Sequence, residues 1–180
     1  MQIRVSTESD RTVITDIHSN AFGPGQGQEI AELVNGLLDD ATAEPSLSMV
    51  AETDDGLVGH ILFTAVRVQS HPDTSARILA PLAVLNAFQG AGIGGMLISK
   101  GLKRLAESGV DLVFVLGHPG YYPKHGFRPA GALGFEAPYA IPPENADAWM
   151  VRALSPGAIG AYEGKVICAD VLNNPDYWRE

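Results

Sequence analysis

The 180-residue sequence contains one cysteine, Cys168, so no intrachain disulfide bond can form and no zinc site can be built from several thiolates. Cys168 lies in the apolar run KVICADVL, where a free cysteine behaves as a small hydrophobic residue, and we expect it to contribute to the core. The motifs H-E-x-x-H and G-x-S-x-G and a Walker-type lysine are also missing. The sequence therefore does not support a metalloprotease, a serine hydrolase or a nucleotidase, and we expect no metal ion.

Long hydrophobic runs are absent as well. No apolar stretch approaches the roughly 20 residues that a membrane-spanning helix requires. The first residues, MQIRVSTESDR, lack the basic start and the apolar run of a secretory signal. These observations predict a cytoplasmic protein without a membrane partner.

Lysine and arginine are absent between Thr12 and Val66, although this segment carries nine acidic residues. The rest of the chain holds equal numbers of acidic and basic residues, so this segment accounts for the whole formal charge of −9. A protein that binds nucleic acid without sequence preference needs a basic face, and we expect no nucleic-acid partner. The acidic residues are either solvated surface or the source of a negative potential that attracts a cationic substrate.

The hydrophobic periodicity predicts one α/β or α+β domain. Strands are predicted at QIRVS, SLSMVAE, LVGHILFTAVRV, DLVFVLG, WMVRAL and GKVICADVL. A helix that starts near Thr7 or Ser9 is interrupted by GPGQG and followed by a second helix, and a further helix runs from about Gly92 to Ser108. The Asp-Gly pair of TDDG predicts a hairpin, and SHPDTSA is expected to form a polar loop.

Pro81 lies in the middle of the apolar run RILAPLAVL. Proline has no N–H to donate to a sheet, so the strand that contains it must lie at an edge, carry a bulge or part from a neighbouring strand. The glycine-rich stretch FQGAGIGGML follows directly. Arg77 is the only basic residue between His71 and Ser99, so a phosphate held by this stretch would depend mainly on backbone amides.

The stretch FQGAGIGGML fits two phosphate-binding signatures. Read from Gly90 it is G-x-G-x-x-G, which is typical of dinucleotide-binding folds, and read from Gln89 it is Q-x-x-G-x-G, which is typical of the coenzyme A loop of acyltransferases. A dinucleotide fold needs the glycine directly after a buried strand and an acidic residue near the end of the next strand. Here LNAFQ intervenes, and the only acid of the next strand, Asp111, is at its start. The coenzyme A interpretation is favoured, with a glycine-rich cap that only permits close packing as the alternative.

The stretches LAPLAVLNAFQGAGIGGMLI and VLGHPGYYPKHGFRPA together resemble the GNAT superfamily of acyl-CoA-dependent N-acyltransferases. LAPLAVLNAFQGAGIGGMLI is similar to the family's bulged strand, Q/R-x-x-G-x-G/A loop and helix. VLGHPGYYPKHGFRPA resembles the L-G-x-P-x-Y-Y-x-x-x-G-F-x-P stretch of one branch of bacterial acetyltransferases. The motifs occupy residues 77–130, and the order of elements is similar over nearly the whole chain.

The resemblance implies a single GNAT-like domain over residues 1–180. Its mixed, mostly antiparallel central sheet would be flanked by helices, and its fourth and fifth strands would splay apart. Residues 1–70 would form the acceptor side, residues 77–130 the acetyl-CoA site, and residues 131–180 the C-terminal strands.

The resemblance also assigns the residues that hold the cofactor. Leu82, Ala83 and Val84 would pair with the pantetheine arm, and one N–H of this run would polarise the thioester carbonyl. An ordinary core strand is the alternative for these three residues. The diphosphate would lie on the loop formed by Gln89, Gly90, Ala91, Gly92, Ile93, Gly94 and Gly95.

The family's general acid is a tyrosine four residues before a Gly-Phe pair, which is the position of Tyr122. Its role would be to protonate the leaving thiolate. Tyr121 is the second candidate, and a tyrosine that only packs in the core is the alternative. Where many relatives carry an asparagine ahead of this tyrosine, this chain has Val115.

The acceptor of the acyl group would be a small-molecule or peptide amine that enters beside the acidic segment. An amine must be neutral when it attacks, and the sequence does not identify the base that accepts its proton. Glu29 is the leading candidate for contact with the acceptor, followed by Glu52 and His118, although solvated surface or helix capping is an equal alternative. Two copies of the chain could pair through an open sheet edge.

The implied activity is transfer of the acetyl group of acetyl-CoA to a primary amine by direct attack. A CoA-binding sensor or interaction module without turnover is the alternative from another class. A dinucleotide-binding oxidoreductase is the third possibility.

Overall fold

The computed structural model describes residues 1–179. Within this range nine strands form the sheet, in the order β1-β2-β3-β4-β5-β8-β6, with β9 paired to β3 and β7 paired to β9. The strands are β1 (Gln2–Val5), β2 (Leu47–Thr53), β3 (Gly56–Val68), β4 (His71–Val84), β5 (Leu112–Leu116), β6 (Arg128–Pro129), β7 (Phe135–Glu136), β8 (Trp149–Ala153) and β9 (Gly164–Ile167). The helices are α1 (Arg11–Asp39), α2 (Ile93–Glu107) and the single turn α3 (Ala158–Ala161).

The sheet is mostly antiparallel and opens between its two central strands. Strand β4 runs parallel to β5, but their pairing ends where Leu79 meets Val115. Beyond that point β4 continues to Val84 paired with β3 alone, and the β3–β4 ladder shifts register around Ala80 and Pro81. The predicted bulge and the predicted parting of the strands are therefore both confirmed, and so is the expected fold class.

Strand β4 also corrects one prediction. The stretch SHPDTSA, expected to be a polar loop, forms the start of β4 from His71 onward, with His71 opposite Val68 and Ala76 opposite Val66. Pro72 and Asp73 at this end of the hairpin are exposed, whereas Thr74 and Ala76 are buried. Pairing with the 13-residue strand β3 outweighs that local preference.

Helix α1 contains the predicted interruption. Gly23 has φ 75° and ψ −177°, which is outside helical geometry, and Pro24 follows it. The left-handed φ explains why glycine stands at this position. The two halves of α1 cover one face of the sheet, with Ile14 and Leu37 buried against it.

Two apolar layers lie on opposite faces of the sheet. Leu62 and Phe114 pack on the face covered by α1, whereas Phe63 and Val113 pack on the face covered by α2. Cys168 is half-buried against the first layer, as predicted, and burial raises the pKa of its thiol to about 11. Across residues 1–179 no helix combines the length and the apolar character needed to cross a bilayer.

A buried pair of histidines joins α1 to the sheet. His18 Nε2 of α1 lies 2.7 Å from His60 Nδ1 of β3, and both rings are fully buried. His60 Nε2 lies 2.8 Å from the hydroxyl of Ser48. Burial lowers the pKa of His18 from 6.5 to about 4, and burial together with His18 lowers the pKa of His60 well below its ordinary value.

Because of this pair, we expect the free energy of unfolding to fall as the pH drops from about 6.5 to about 4. In that window the unfolded chain binds a proton on His18 and the folded chain does not, so acid favours unfolding, by about 3 kcal/mol for a shift of this size. Urea unfolding at a series of pH values measures the effect. Replacing His18 by glutamine should reduce the slope, and a wild-type free energy that stays constant between pH 7 and pH 5 would contradict the prediction.

Candidate active site

The glycine loop leads into the N-terminus of α2. Gly90 and Gly92 have φ values of 83° and 81°, and a Cβ atom on either would have nothing within 4 Å, so both face open space. No side chain caps the helix, and its first backbone hydrogen bond runs from the Met96 N–H to the Gly92 carbonyl. The N–H groups of the residues between these two therefore lack intrahelical partners, which suits an anion.

Side-chain hydrogen bonds stabilise the conformation of the glycine loop. The Gln89 Nε2 donates to the Val84 carbonyl and to Asn86 Oδ1, both at 3.1 Å. Asn86 in turn donates its backbone N–H to Asn20 Oδ1 and its side-chain N–H to the Asn20 carbonyl of α1. Gln89 thus acts on the shape of the loop, and the Asn20–Asn86 pair, which sequence reasoning missed, ties the loop to the acceptor side. Two isolated asparagines carry no motif that would have revealed them.

The open side of β4 presents backbone groups toward the gap left by β5. The Leu85 N–H donates across the ladder to β3, whereas the Val84 carbonyl accepts from Gln89 on the other side. Backbone polar groups alternate in direction along a strand, so those of Leu82 share the open side with Val84, and those of Ala83 face β3. Leu82 and Val84 are the two residues of this run that can pair with an extended ligand.

Two tyrosines lie where the strands part. Tyr122 is 9% exposed, and its ring packs against Gly117 and edge-to-face on Phe127. The residue also lines the adjoining cavity. Burial, and to a smaller extent Tyr121, raises the pKa of Tyr122, so the phenol stays protonated at neutral pH. The Tyr121 hydroxyl lies 2.9 Å from the place a Cβ atom would take on Gly94, directly over the loop.

A cavity of about 450 Å³ extends from the two tyrosines and the open side of β4 to helix α1. It is enclosed by the second half of α1, by β4 and β5 at the gap, by the two tyrosines and by residues 172–178. Of the residues predicted from the sequence, this cavity brings together Leu82, Tyr122, Glu29 and His118. Glu52 is elsewhere, paired with Arg4 at 3.2 Å where β1 meets β2, so this candidate for acceptor contact is not supported.

The two candidates on the acceptor side differ in their surroundings. Glu29 is exposed and forms no ion pair within the described residues. His118 is also exposed, but its Nδ1 accepts a hydrogen bond of 2.9 Å from the Gly120 N–H. Glu29 is therefore the freer of the two to meet a ligand.

The C-terminal segment closes the cavity, and sequence reasoning missed it. Asp176, Tyr177 and Trp178 all line the cavity, and the buried Trp178 ring donates to the Leu172 carbonyl. Burial raises the pKa of Tyr177, and the charges of Glu29, Glu32 and Asp176 raise it further. Asp176 is itself paired with Arg179 at 2.9 Å.

A glycine-lined helix start beside a strand that has parted from its neighbour defines the chain as an acyltransferase of the acyl-CoA-dependent class. Residues 44–129 match the family model of the acetyltransferase (GNAT) domain. The uncharacterized N-acetyltransferase YjhQ of Escherichia coli K12 is 42% identical over 168 residues, covering 92% of this chain and 91% of YjhQ. The chain belongs to the GNAT family of N-acetyltransferases. This membership favours the coenzyme A interpretation of the loop over the dinucleotide interpretation.

Two solved structures are similar over nearly the whole chain. The GNAT family N-acetyltransferase YhbS of Escherichia coli in complex with CoA is 29% identical with a TM-score of 0.86, covering 96% of this chain and 92% of YhbS. A GNAT family acetyltransferase from Brucella melitensis in complex with acetyl-CoA is 30% identical with a TM-score of 0.74, covering 95% and 97% of the two chains. Within residues 1–179 no group of three or more histidine, cysteine, aspartate or glutamate side chains is placed to hold a metal ion.

Proposed function

We propose that the protein transfers the acetyl group of acetyl-CoA to a primary amine that enters the cavity beside Glu29, by direct attack on the thioester. One observation carries this proposal. The gap beside the glycine loop opens into a cavity in which the free edge of β4, Tyr122 and Glu29 all meet. The cofactor thioester would lie in the gap and the amine would approach it from the α1 side.

Each residue has a distinct part in the reaction. The N–H groups of the first turn of α2 bind the diphosphate, and the open edge at Leu82 and Val84 pairs with the pantetheine amide groups. An N–H on this edge stabilises the oxyanion that forms when the amine attacks. Tyr122 then donates a proton to the departing thiolate, and the proton that the attacking nitrogen loses returns to the phenolate directly or through water. The raised pKa of Tyr122 keeps the phenol protonated before the reaction but also makes it a weaker acid, so the donation depends on a close hydrogen bond to the thiolate.

In this proposal the acceptor has a second, positively charged group that lies at a distance from the nitrogen that reacts. No lysine or arginine within residues 1–179 lines the cavity, whereas Glu29 and Asp176 do. A carboxylate beside the reacting ammonium would raise its pKa and hinder deprotonation, so the attraction is useful only at a distal group. The acceptor side then consists of residues 1–70 together with residues 172–178, and residues 77–130 bind the cofactor.

We expect Glu29→Gln to lower kcat/KM for a diamine such as 1,4-diaminobutane by about fivefold. The kcat/KM for butylamine should stay within about twofold of the wild-type value. The exposed site limits the effect, and added salt should reduce it further. Release of free thiol from acetyl-CoA measures the rates. Asp16→Asn is the matched control, because Asp16 is exposed on the same helix but does not line the cavity.

The same assay separates the proposed enzyme from its alternative. Thiol release that requires an amine supports acetyl transfer. Tight CoA binding with no amine-dependent release across a broad panel would instead favour a CoA-binding sensor. Equal effects of Glu29→Gln on diamine and monoamine would contradict the assignment of Glu29.

A further inference from the structure

A basic groove lies outside the cavity described above. It runs between α2 and the segment that joins the tyrosines to β6, reaches β8, and has a volume of about 750 Å³. Five of its lining residues are basic, and no aspartate or glutamate within residues 1–179 lines it. They are Lys103, Lys124, His125, Arg128 and Arg152. Such a groove is unexpected in a chain with a formal charge of −9.

The positive charges of the basic groove are not neutralised by the protein. None of its lysines and arginines belongs to an ion pair formed within residues 1–179. Arg152 donates to the His125 carbonyl at 2.6 Å, and the Lys124 ammonium lies 4.8 Å from the centre of the Tyr121 ring. Burial lowers the pKa of His125, and the charges of Lys124 and Arg152 lower it further. Like charges held together in this way repel one another unless an anion joins them.

The basic groove begins where the glycine loop ends. The His125 ring lies 3.2 Å from the place a Cβ atom would take on Gly95, in the first turn of α2. The loop itself offers backbone N–H groups but no basic side chain. An anion bound in the basic groove would therefore be a neighbour of one bound at the start of α2.

We propose that the basic groove binds a phosphate monoester, held by Lys103, Arg128 and Arg152. A phosphate monoester carries nearly two negative charges and three acceptor oxygens, which matches several cations without an acid among them. Arginine presents a planar fork of donors that suits phosphate oxygens, and lysine adds a compact charge. The 3′-phosphate of CoA is one source of this group, and to that extent the inference rests on the proposed function. A separate phosphorylated molecule is the other source.

The test uses the double variant Lys103→Gln/Arg128→Gln, because both side chains are exposed and have no partner whose loss would disturb the fold. Calorimetry measures the binding of CoA, of 3′-dephospho-CoA and of adenosine 5′-monophosphate, without an acceptor amine. Lys100→Gln is the control, since Lys100 is exposed on the same helix but does not line the basic groove.

If the 3′-phosphate is the ligand, the double variant should bind CoA about 10-fold more weakly, with 3′-dephospho-CoA unaffected. If a separate molecule is the ligand, the wild-type protein should bind adenosine 5′-monophosphate and 3′-dephospho-CoA at the same time. The double variant should then bind 3′-dephospho-CoA but no longer bind the monophosphate. The inference is overturned if the variant binds all three compounds as the wild-type protein does. Failure of the proposed function is measured separately, as an absence of amine-dependent thiol release from acetyl-CoA, and it leaves these binding results unchanged.

Discussion

Replacing Tyr122 by phenylalanine should lower kcat for acetyl transfer by about 10²-fold to 10⁴-fold, the usual contribution of a positioned proton donor. The variant removes one oxygen atom and keeps the ring that packs against Gly117 and Phe127. Because that packing is retained, the free energy of unfolding should change little. Steady-state rates, CoA affinity and urea unfolding together measure the effect, and CoA affinity should stay within about twofold.

Tyr121→Phe is the matched control for this prediction. The Tyr121 hydroxyl lies over Gly94 of the loop, so its loss should alter KM for acetyl-CoA more than kcat. If Tyr121→Phe loses the rate and Tyr122→Phe retains it, the roles of the two tyrosines are exchanged. If both variants keep full activity, neither phenol is the proton donor.

Replacing Gly92 by valine should weaken CoA binding by about 100-fold or more. Gly92 has φ 81°, a conformation that a β-branched residue does not adopt, so the loop must rearrange. The N–H groups of Ile93, Gly94 and Gly95 would then no longer converge on the diphosphate. Hydrogen bonds to a charged group are worth about 1.5 to 3 kcal/mol each, and the loss of one or two accounts for this factor. Calorimetric titration with CoA measures it.

Gly109→Val controls for strain alone. Gly109 follows the other end of α2 with φ 87°, and a Cβ atom there also has nothing within 4 Å. Both variants should lose about 1 to 2 kcal/mol of folding stability, because both place a side chain in the left-handed region. If Gly109→Val weakens CoA binding as much as Gly92→Val, the loss of CoA affinity results from the lower stability of α2, and the loop does not bind the diphosphate as proposed.

The glycine turns and the bulged strand could be predicted from the sequence because their signals are local. Positive φ values at Gly90 and Gly92 require glycine, and Pro81 marks the bulge, whatever the rest of the chain does. The amphipathic stripe of α2 and the Asp-Gly hairpin between β2 and β3 are similarly local, and both are confirmed. The prediction of a loop at SHPDTSA was wrong because the conformation of this stretch depends on pairing with the long strand β3.

The lining of the cavity was predicted only in part. Glu29 and His118 do line one cavity with Tyr122, but no motif indicates that Asp176 and Tyr177 close it from the far end of the chain. The buried contact between His18 and His60 was equally hidden, since the two residues belong to different elements. Pairings of this kind depend on how helices pack on the sheet.

By itself, the amino-acid sequence determined the glycine loop, the bulged strand and the amphipathic helix behind them, because backbone sterics and hydrophobic periodicity act over a few residues. Only the tertiary structure decided which distant side chains share a site. Lys103, Arg128 and Arg152 come from three separate elements and line one groove, and residues 172–178 reach the cavity beside α1. Packing of the helices on the sheet places these residues together, because burial of apolar surface selects the arrangement of whole elements. No short sequence motif encodes which side chains this arrangement brings into contact.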